Sequence, residues 1–406
     1  MVNELENLLS NNIKGMKRSA IREILKLTQR PEIISFAGGL PDPTLFPTEE
    51  LAEVSSEVLK TEGALALQYG TTEGDALLRK LLVERYQKQG INIEEKNLII
   101  TTASQQGLDL TAKVFINPGD TIICGLPSYL GALSAFLSYG ANLEGIELDQ
   151  YGMRSDLLEE KVVELANKGI HPKFIYTIPD FQNPTGITMP EWRRLEIIAV
   201  AEKYNLIILE DCPYRDVRFE GAAQKTMLEL DKSQRIIHLG TFSKVFVPGF
   251  RIGWAIASEE ILDKIVVAKQ ATDLCTPAFV QRISARFIEK GLFDKNLSVI
   301  INAYKAKQQH FIKCLKEYMP SEISWINPEG GLFIFLTLPE FIDTTELFQT
   351  AIEEKVAYVP GSTFYYNGEG RNTMRLNFSF MSLEKNEEGI KRLATAIKKE
   401  IAAKTK

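Results

Sequence analysis

Six short apolar runs rich in Ile and Val recur along the middle of the chain: NLIITT, DTIICG, KFIYTIP, NLIILED, RIIHLGT and GWAIAS. They are too short for amphipathic helices and show no polar alternation, which is the pattern of strands buried on both faces of a mainly parallel sheet. The spacers between them carry helical periodicity. SQQGLDLTAKVF opens on Ser104 as an expected N-cap, and PEWRRLEIIAVAEKY opens on Pro190 as an expected first helical residue. Strands alternating with helices predict an α/β architecture with helices on both faces of the sheet. From about residue 290 the grammar changes. A long helical stretch, FDKNLSVIINAYKAKQQHFIKCLKEYM, is followed by GGLFIFLTLP, a further helical pattern, AYVPGS, TMRLNFSF and a closing helix. The expected organisation is an N-terminal segment over 1–47 that joins the smaller domain, a large domain over 48–288, and a small α+β domain over 289–406.

Composition removes several classes of function. The 406 residues are 45% hydrophobic and 25% charged, enough for more than one core. Lys+Arg 47 against Asp+Glu 53 leaves a net charge of −6, so no basic surplus exists to neutralise a nucleic-acid backbone and no nucleic-acid partner is expected. The 4 cysteines and 3 histidines are scattered without metal or disulfide spacing, and no metal is expected. Nowhere do about 18 apolar residues run together, and MVNELENLLSNNIKG lacks a signal-like core; the expectation is no membrane and a cytoplasmic protein.

In an open α/β sheet the ligand crevice lies beyond the carboxyl ends of the strands. The polar residues that follow the apolar runs are Ser104, Gln105, Asn183, Asp211, Tyr214, Ser243 and Lys244. Singly, each has an ordinary structural explanation: a cap for Ser104, a turn for Asn183-Pro184-Thr185-Gly186, a cap or ion pair for Asp211, a surface charge for Lys244. Their coincidence at strand ends of one sheet points instead to a site. GTFSKVFVPGFRIGW, residues 240–254, is the densest part, joining Thr241, Ser243, Lys244 and Arg251 with Gly249 and Gly253 for turning and close approach. A lysine whose pKa is lowered from about 10.4 by burial or a nearby cation attacks carbonyls. Hydroxyls, a guanidinium and the helix N-terminus at Ser104 and Gln105 suit a phosphate. Pyridoxal 5′-phosphate calls on all of these at once, together with a carboxylate for its ring nitrogen.

The ordered set SFAGGLPDPTLFP, LQYGTTEGDALLR, TTASQQGLDL, PSYLGA, DFQNPTG, EDCPYR, TFSKVFVPGFRIG and MRLNFS resembles the fold-type I, pyridoxal-phosphate-dependent aminotransferases of class I/II over nearly the whole chain. The stretch SAIREILKLTQRPEIISFAGGLP resembles the subgroup containing 2-aminoadipate, kynurenine, aromatic and branched-chain enzymes. The resemblance implies an aspartate-aminotransferase-like fold. It makes Lys244 the residue that forms a Schiff base with the cofactor and then shuttles the proton, and Asp211 the partner that keeps the ring nitrogen protonated. Asn183 and Tyr214 would bond the cofactor's 3′-oxygen, Tyr129 would stack on its ring, and Ser104, Gln105, Thr241, Ser243 and Arg251 would take its phosphate. Arg375 would bind the substrate α-carboxylate, beside Gly39 and Asn183. Tyr69 resembles a tyrosine that reaches the phosphate of the other subunit, which implies a homodimer. Ser19 and Arg22 match positions that contact the distal end of the substrate. In KRSAIREIL, residues 17–25, Arg18 and Arg22 share a face if the segment is helical, and the expectation is a mobile substrate lid. Departures are small: Thr241 stands where serine is common, and Cys212 follows Asp211.

The implied reaction is a ping-pong transfer of an amino group from an α-amino acid to a 2-oxo acid such as 2-oxoglutarate. Two alternatives stay open at this point. A same-fold lyase, eliminating at Cβ or decarboxylating, would also use Lys244, Asp211 and Arg375. A regulator that carries an aminotransferase-like domain would need a DNA-binding domain, and only about 35 residues precede SFAGGLP.

Overall fold

The computed structural model describes residues 5–405 apart from 17, 19–21 and 25–29. After the short strand β1 (Ile34–Ser35), eight strands form one sheet: β2 (Leu98–Thr102), β3 (Thr121–Leu126), β4 (Asn142–Asp149), β5 (Gly152–Met153), β6 (Phe174–Thr177), β7 (Ile207–Asp211), β8 (Ile236–Thr241) and β9 (Ile252–Ile256). Their order is β2-β9-β8-β7-β6-β3-β4-β5. The strands β8, β7, β6, β3 and β4 run parallel, β9 lies antiparallel between β8 and β2, and β5 folds back on β4. Each of the six apolar runs is a strand. Every residue of β3, β6, β8 and β9 is buried, as strands between two helical layers must be. The pattern overlooks β4, NLEGIELD, in which Ile146 alone is buried because the strand lies one place from the sheet edge.

The helix Ala103–Phe115 starts differently from the expectation. Thr102 occupies the N-cap without a side-chain capping bond, Ala103 takes a left-handed φ of 58°, and Ser104 falls in the first turn. The cause is close packing against β9. A Cβ on Gly253 would come within 2.5 Å of Ala103 C and 2.6 Å of Ser104 N, so glycine there lets the chain turn sharply out of β2. Pro190 likewise sits at the N-cap of Glu191–Lys203 rather than inside it.

The C-terminal part builds a second sheet, β10 (Ser324–Trp325), β11 (Phe333–Thr337), β13 (Val359–Pro360) and β14 (Thr373–Asn377), in the antiparallel order β10-β11-β14-β13. The long helices Leu292–Tyr318 and Leu383–Lys404 pack together beside it. The strand β12 (Val356–Ala357) pairs in parallel with β1, and Phe36 is buried edge-on to Phe311 with ring centroids 5.2 Å apart. Residues 34–36 are thereby fastened to the C-terminal elements. One apolar cluster is continuous from the large sheet into this part. Among the described residues, no helix is long and apolar enough to cross a membrane.

Candidate active site

The strands β7 and β8 end on Asp211 and Thr241, and the loop after β6 carries Asn183. These ends open into a cavity of about 700 Å³, closed on the far side by Phe333 of β11 and Arg375 of β14. Its walls include every expected site residue except Tyr69 and Ser19. Ser19 lies outside the described residues. Tyr69 is 81% exposed and does not line this cavity.

Three ionisable groups, Asp211 and Arg375 buried and Lys244 partly buried, face the space with bonding capacity left over. Lys244 Nζ donates to Gly39 O at 2.7 Å. Burial lowers its pKa to about 8, with Arg375 and then Arg251 adding to the effect. Asp211 is 1% exposed; its Oδ2 accepts a hydrogen bond from Tyr176 Oη at 3.0 Å, while its Oδ1 has no partner. Burial raises its carboxyl pKa to about 7, opposed by the Tyr176 hydroxyl. Arg375 donates from Nη1 to Asn183 Oδ1 at 2.9 Å and from Nη2 to Ala37 O at 2.7 Å, and its Nε is unpaired. Its guanidinium lies over the Phe333 and Phe364 rings, 4.1 Å and 4.9 Å from their centroids. Burial lowers its pKa to about 10, so it remains a cation at neutral pH.

Around this trio the polar side chains hold one another. Asn183 Nδ2 donates to Tyr214 Oη at 3.3 Å, and burial raises the Tyr214 phenol pKa. Tyr129 Oη donates to Gln105 Oε1 at 3.3 Å, and Gln105 Nε2 donates to Gly131 O at 2.9 Å. Thr241 donates to Ile252 O at 3.0 Å, which leaves its oxygen to accept from Ser243, 2.9 Å away; Arg251 Nη1 in turn reaches Ser243 Oγ at 3.5 Å. The N–H groups of Ser104 and Gln105, in the first turn of their helix, have no intrahelical acceptors, and both residues line the same cavity. Of the two glycines read as turn residues, Gly253 provides close approach, but Gly249 does not turn the chain: its φ is not positive and a Cβ there would touch nothing within 4 Å. The turn falls on Arg251, at φ 54° and ψ 47°, a left-handed conformation that costs a non-glycine residue about 1–2 kcal/mol. Strain of this kind is tolerated where the guanidinium must be aimed.

Two contributors escape the motif reading. Tyr176 lies inside KFIYTIP, which reads as pure core, yet a buried tyrosine among aliphatic residues needs a partner for its hydroxyl. Phe333, within GGLFIFL, touches the cavity from the second sheet and packs edge-on to Tyr214 at 5.8 Å. The segment at Arg22–Ile24 is helical; Arg22 is exposed and lines the cavity mouth, while Ile24 is buried against Phe335, Val359 and Phe364. Arg18 is exposed and not helical, so the described residues do not extend that helix back to it.

The aromatic-amino-acid aminotransferase 1 of Thermococcus litoralis is 47% identical over 98% of this chain and 96% of its own length. The 2-aminoadipate transaminase of Thermus thermophilus is 40% identical over 94% of each chain. The crystal structure of Pyrococcus horikoshii kynurenine aminotransferase superposes with a TM-score of 0.94 at 43% identity, covering 98% of both chains. The family model for aminotransferases of class I and II matches residues 32–393, a span that takes in both sheets and the cavity between them, and the chain belongs to that family.

Proposed function

We propose that this aminotransferase binds pyridoxal 5′-phosphate in the cavity and moves the amino group of an aromatic or acidic α-amino acid to a 2-oxo acid such as 2-oxoglutarate. The observation that carries the reading is the trio of incompletely bonded groups, partly buried Lys244 with buried Asp211 and Arg375, facing one space. They fit that cofactor in kind: the free Asp211 Oδ1 is an acceptor for a ring N–H, Lys244 is an amine whose lowered pKa leaves part of it neutral at neutral pH, and Arg251, which reaches Ser243 Oγ, is a donor for a phosphate together with the first helical turn at Ser104 and Gln105. Thr241 holds Ser243 in place through its hydroxyl, with Asn183 and Tyr214 suited to a ring oxygen and Tyr129 to the ring face.

When bound, the cofactor supplies an aldehyde that captures the amino group and a ring that accepts the electron pair released at the substrate Cα. The chain supplies the rest. Arg375 has five N–H donors, and with two committed to Asn183 and Ala37 it keeps others for a carboxylate, which orients the substrate. Lys244 Nζ, titrating near pH 8, can lose and regain a proton at neutral pH and so carry one from the substrate Cα. Phe333 and Phe364 exclude water from the guanidinium faces, strengthening the ion pair.

Substrate class rests on the named relatives and on Arg22 at the cavity mouth. In this reading Arg22 turns inward to pair with a distal carboxylate and outward for apolar side chains, with residues 1–47 acting as the lid, 48–288 holding the cofactor and 289–406 closing over the substrate. Ser19 would join Arg22 at the substrate's distal end. Exposed Tyr69 would complete the partner's phosphate site in a cytoplasmic homodimer. A screen of amino donors against 2-oxoglutarate tests the proposal: conversion to the matching 2-oxo acid with glutamate formed supports it, and ammonia or carbon dioxide release in place of glutamate assigns the fold to elimination or decarboxylation. In the same assay Arg22→Ala is expected to cost on the order of 2 kcal/mol in kcat/KM for glutamate or 2-aminoadipate and almost nothing for phenylalanine. Equal losses for both donors reject the switch.

A further inference from the structure

Asp211 has an unusual bonding pattern for a fully buried carboxylate. Among the described residues, Asp180 is bonded by Arg194 and Arg215, and Glu210 by His238 and the backbone N–H of Met227 and Leu228. Asp211 has a single donor, the Tyr176 hydroxyl at 3.0 Å. Tyr176 lies on the neighbouring strand β6, paired across from Leu209. Its ring is fully buried, edge-on to Phe136 with centroids 5.4 Å apart, so the phenol cannot swing away from the carboxylate. A phenol has one proton to give, and burial keeps it protonated throughout the neutral range. The carboxylate torsion of an aspartate is otherwise broad and two-fold. With Oδ2 engaged, Oδ1 is the oxygen left unpaired on a cavity-lining residue.

We propose that Tyr176 is a positioning residue for the cofactor: by engaging Oδ2 it fixes the Asp211 carboxylate and directs Oδ1 at the ring nitrogen of pyridoxal phosphate. The inference rests on the cofactor reading above and assigns a specific task to a residue of β6 that does not line the cavity. The hydroxyl also stabilises the ionised carboxylate, the form able to accept a ring N–H. Without it, Oδ2 is a buried acceptor with no donor, and the carboxyl satisfies itself by taking up a proton.

The test compares the affinity of the apoprotein for pyridoxal phosphate and for its 1-deaza analogue, in which a C–H replaces the ring nitrogen. Tyr176→Phe keeps the packing against Phe136 and removes only the hydroxyl. It should weaken pyridoxal phosphate roughly tenfold, the loss of about one charge-assisted hydrogen bond, and leave the deaza analogue within about twofold. In an Asp211→Asn background the same substitution should discriminate between the two ligands no longer. Equal loss for both ligands, loss for neither, or discrimination that survives in the Asn background overturns the inference. A readout on the unaltered protein stands beside these: bound ring-15N pyridoxal phosphate should show a protonated nitrogen near neutral pH, and an unprotonated one overturns the inference without any variant. If the unaltered protein binds neither ligand saturably, the cofactor reading itself falls and this inference falls with it.

Discussion

Two buried aspartates near the same edge of the large sheet behave in opposite ways. Asp180, in the loop after β6, and Asp211, at the end of β7, are 0% and 1% exposed. Burial pushes both carboxyls up. At Asp180 that push is overcome by Arg194, whose Nη2 lies 2.9 Å away, with Arg215 at 3.3 Å and Arg218 at 3.6 Å, and the carboxyl stays below its ordinary range. At Asp211 only Tyr176 opposes it, and the carboxyl rises to about 7. The first group is saturated with partners and ties Arg194, itself fully buried, to the loop that carries Asn183. The second is left short of partners and faces a cavity. Equal burial therefore says little about role, and the count of unmet bonds separates a structural charge from one reserved for a ligand.

The strongest way to sharpen this contrast is at the cavity lysine. Lys244→Ala should lower transamination with every donor by at least about 10⁴-fold, since both nucleophile and proton carrier are lost; the rate of 2-oxo acid formation measures it. Next in size is Asp180→Asn, which leaves the Arg194 guanidinium buried against a neutral amide. Urea unfolding of the apoprotein should show a loss of about 3–5 kcal/mol. Asp211→Asn should do the reverse. The native carboxyl titrates near 7 against an ordinary 3.8, so the folded apoprotein binds a proton more tightly than the unfolded chain does. That preference stabilises the fold at low pH and is lost as pH rises from about 4 to about 7, leaving a buried, poorly paired charge above that. Replacing it should therefore stabilise the apoprotein by on the order of 1–3 kcal/mol at pH 8, with the gain fading towards pH 4, while turnover collapses. Unfolding changes of the same sign for Asp180→Asn and Asp211→Asn at pH 8 would break the comparison.

The smallest effect is a titration. Lys244, with its amine near 8, should be labelled by a small aldehyde and borohydride about fivefold faster at pH 8 than at pH 7, then gain less than about twofold on reaching pH 9. Exposed lysines such as Lys264 should gain about tenfold at each step. Peptide mass spectrometry reads the site; a Lys244 profile that follows the exposed lysines would show that the cavity does not desolvate it.

Much of the site was legible because its members follow apolar runs. A strand's end is visible in sequence, and in a parallel sheet the ends converge, so Asp211, Thr241 and Lys244 could be grouped without coordinates. Tyr176 was hidden for the opposite reason, since it lies within a run and its role depends on which strand lies beside β7. One meeting of Cys and His was not legible along the chain: folding sets Cys212 beside His238 and Glu210, whereas Cys314 Sγ, 3.5 Å from His310 Nε2, is one helical turn away on the same helix. The first cluster spends its capacity internally: Trp254 donates to Tyr86 Oη, which bonds His238 Nε2, and His238 Nδ1 bonds Glu210.

By itself, then, the amino-acid sequence determined the alternation of buried strands and helices, the change of grammar near residue 290, and the residue types that a carbonyl cofactor and a carboxylate substrate demand. Those are local properties, set by side-chain volume, periodicity and reactivity. Only the tertiary structure decided that the turn beside Ser243 falls on Arg251 rather than Gly249, that Thr241 serves Ser243 instead of facing the cavity with a free hydroxyl, and that Asp211 is left with one donor while Asp180 has three arginines. Each depends on which strand lies next to which and how closely their backbones approach. Those distances arise from packing across the sheet, which brings together residues from separate parts of the chain, as β6 and β7 do for Tyr176 and Asp211.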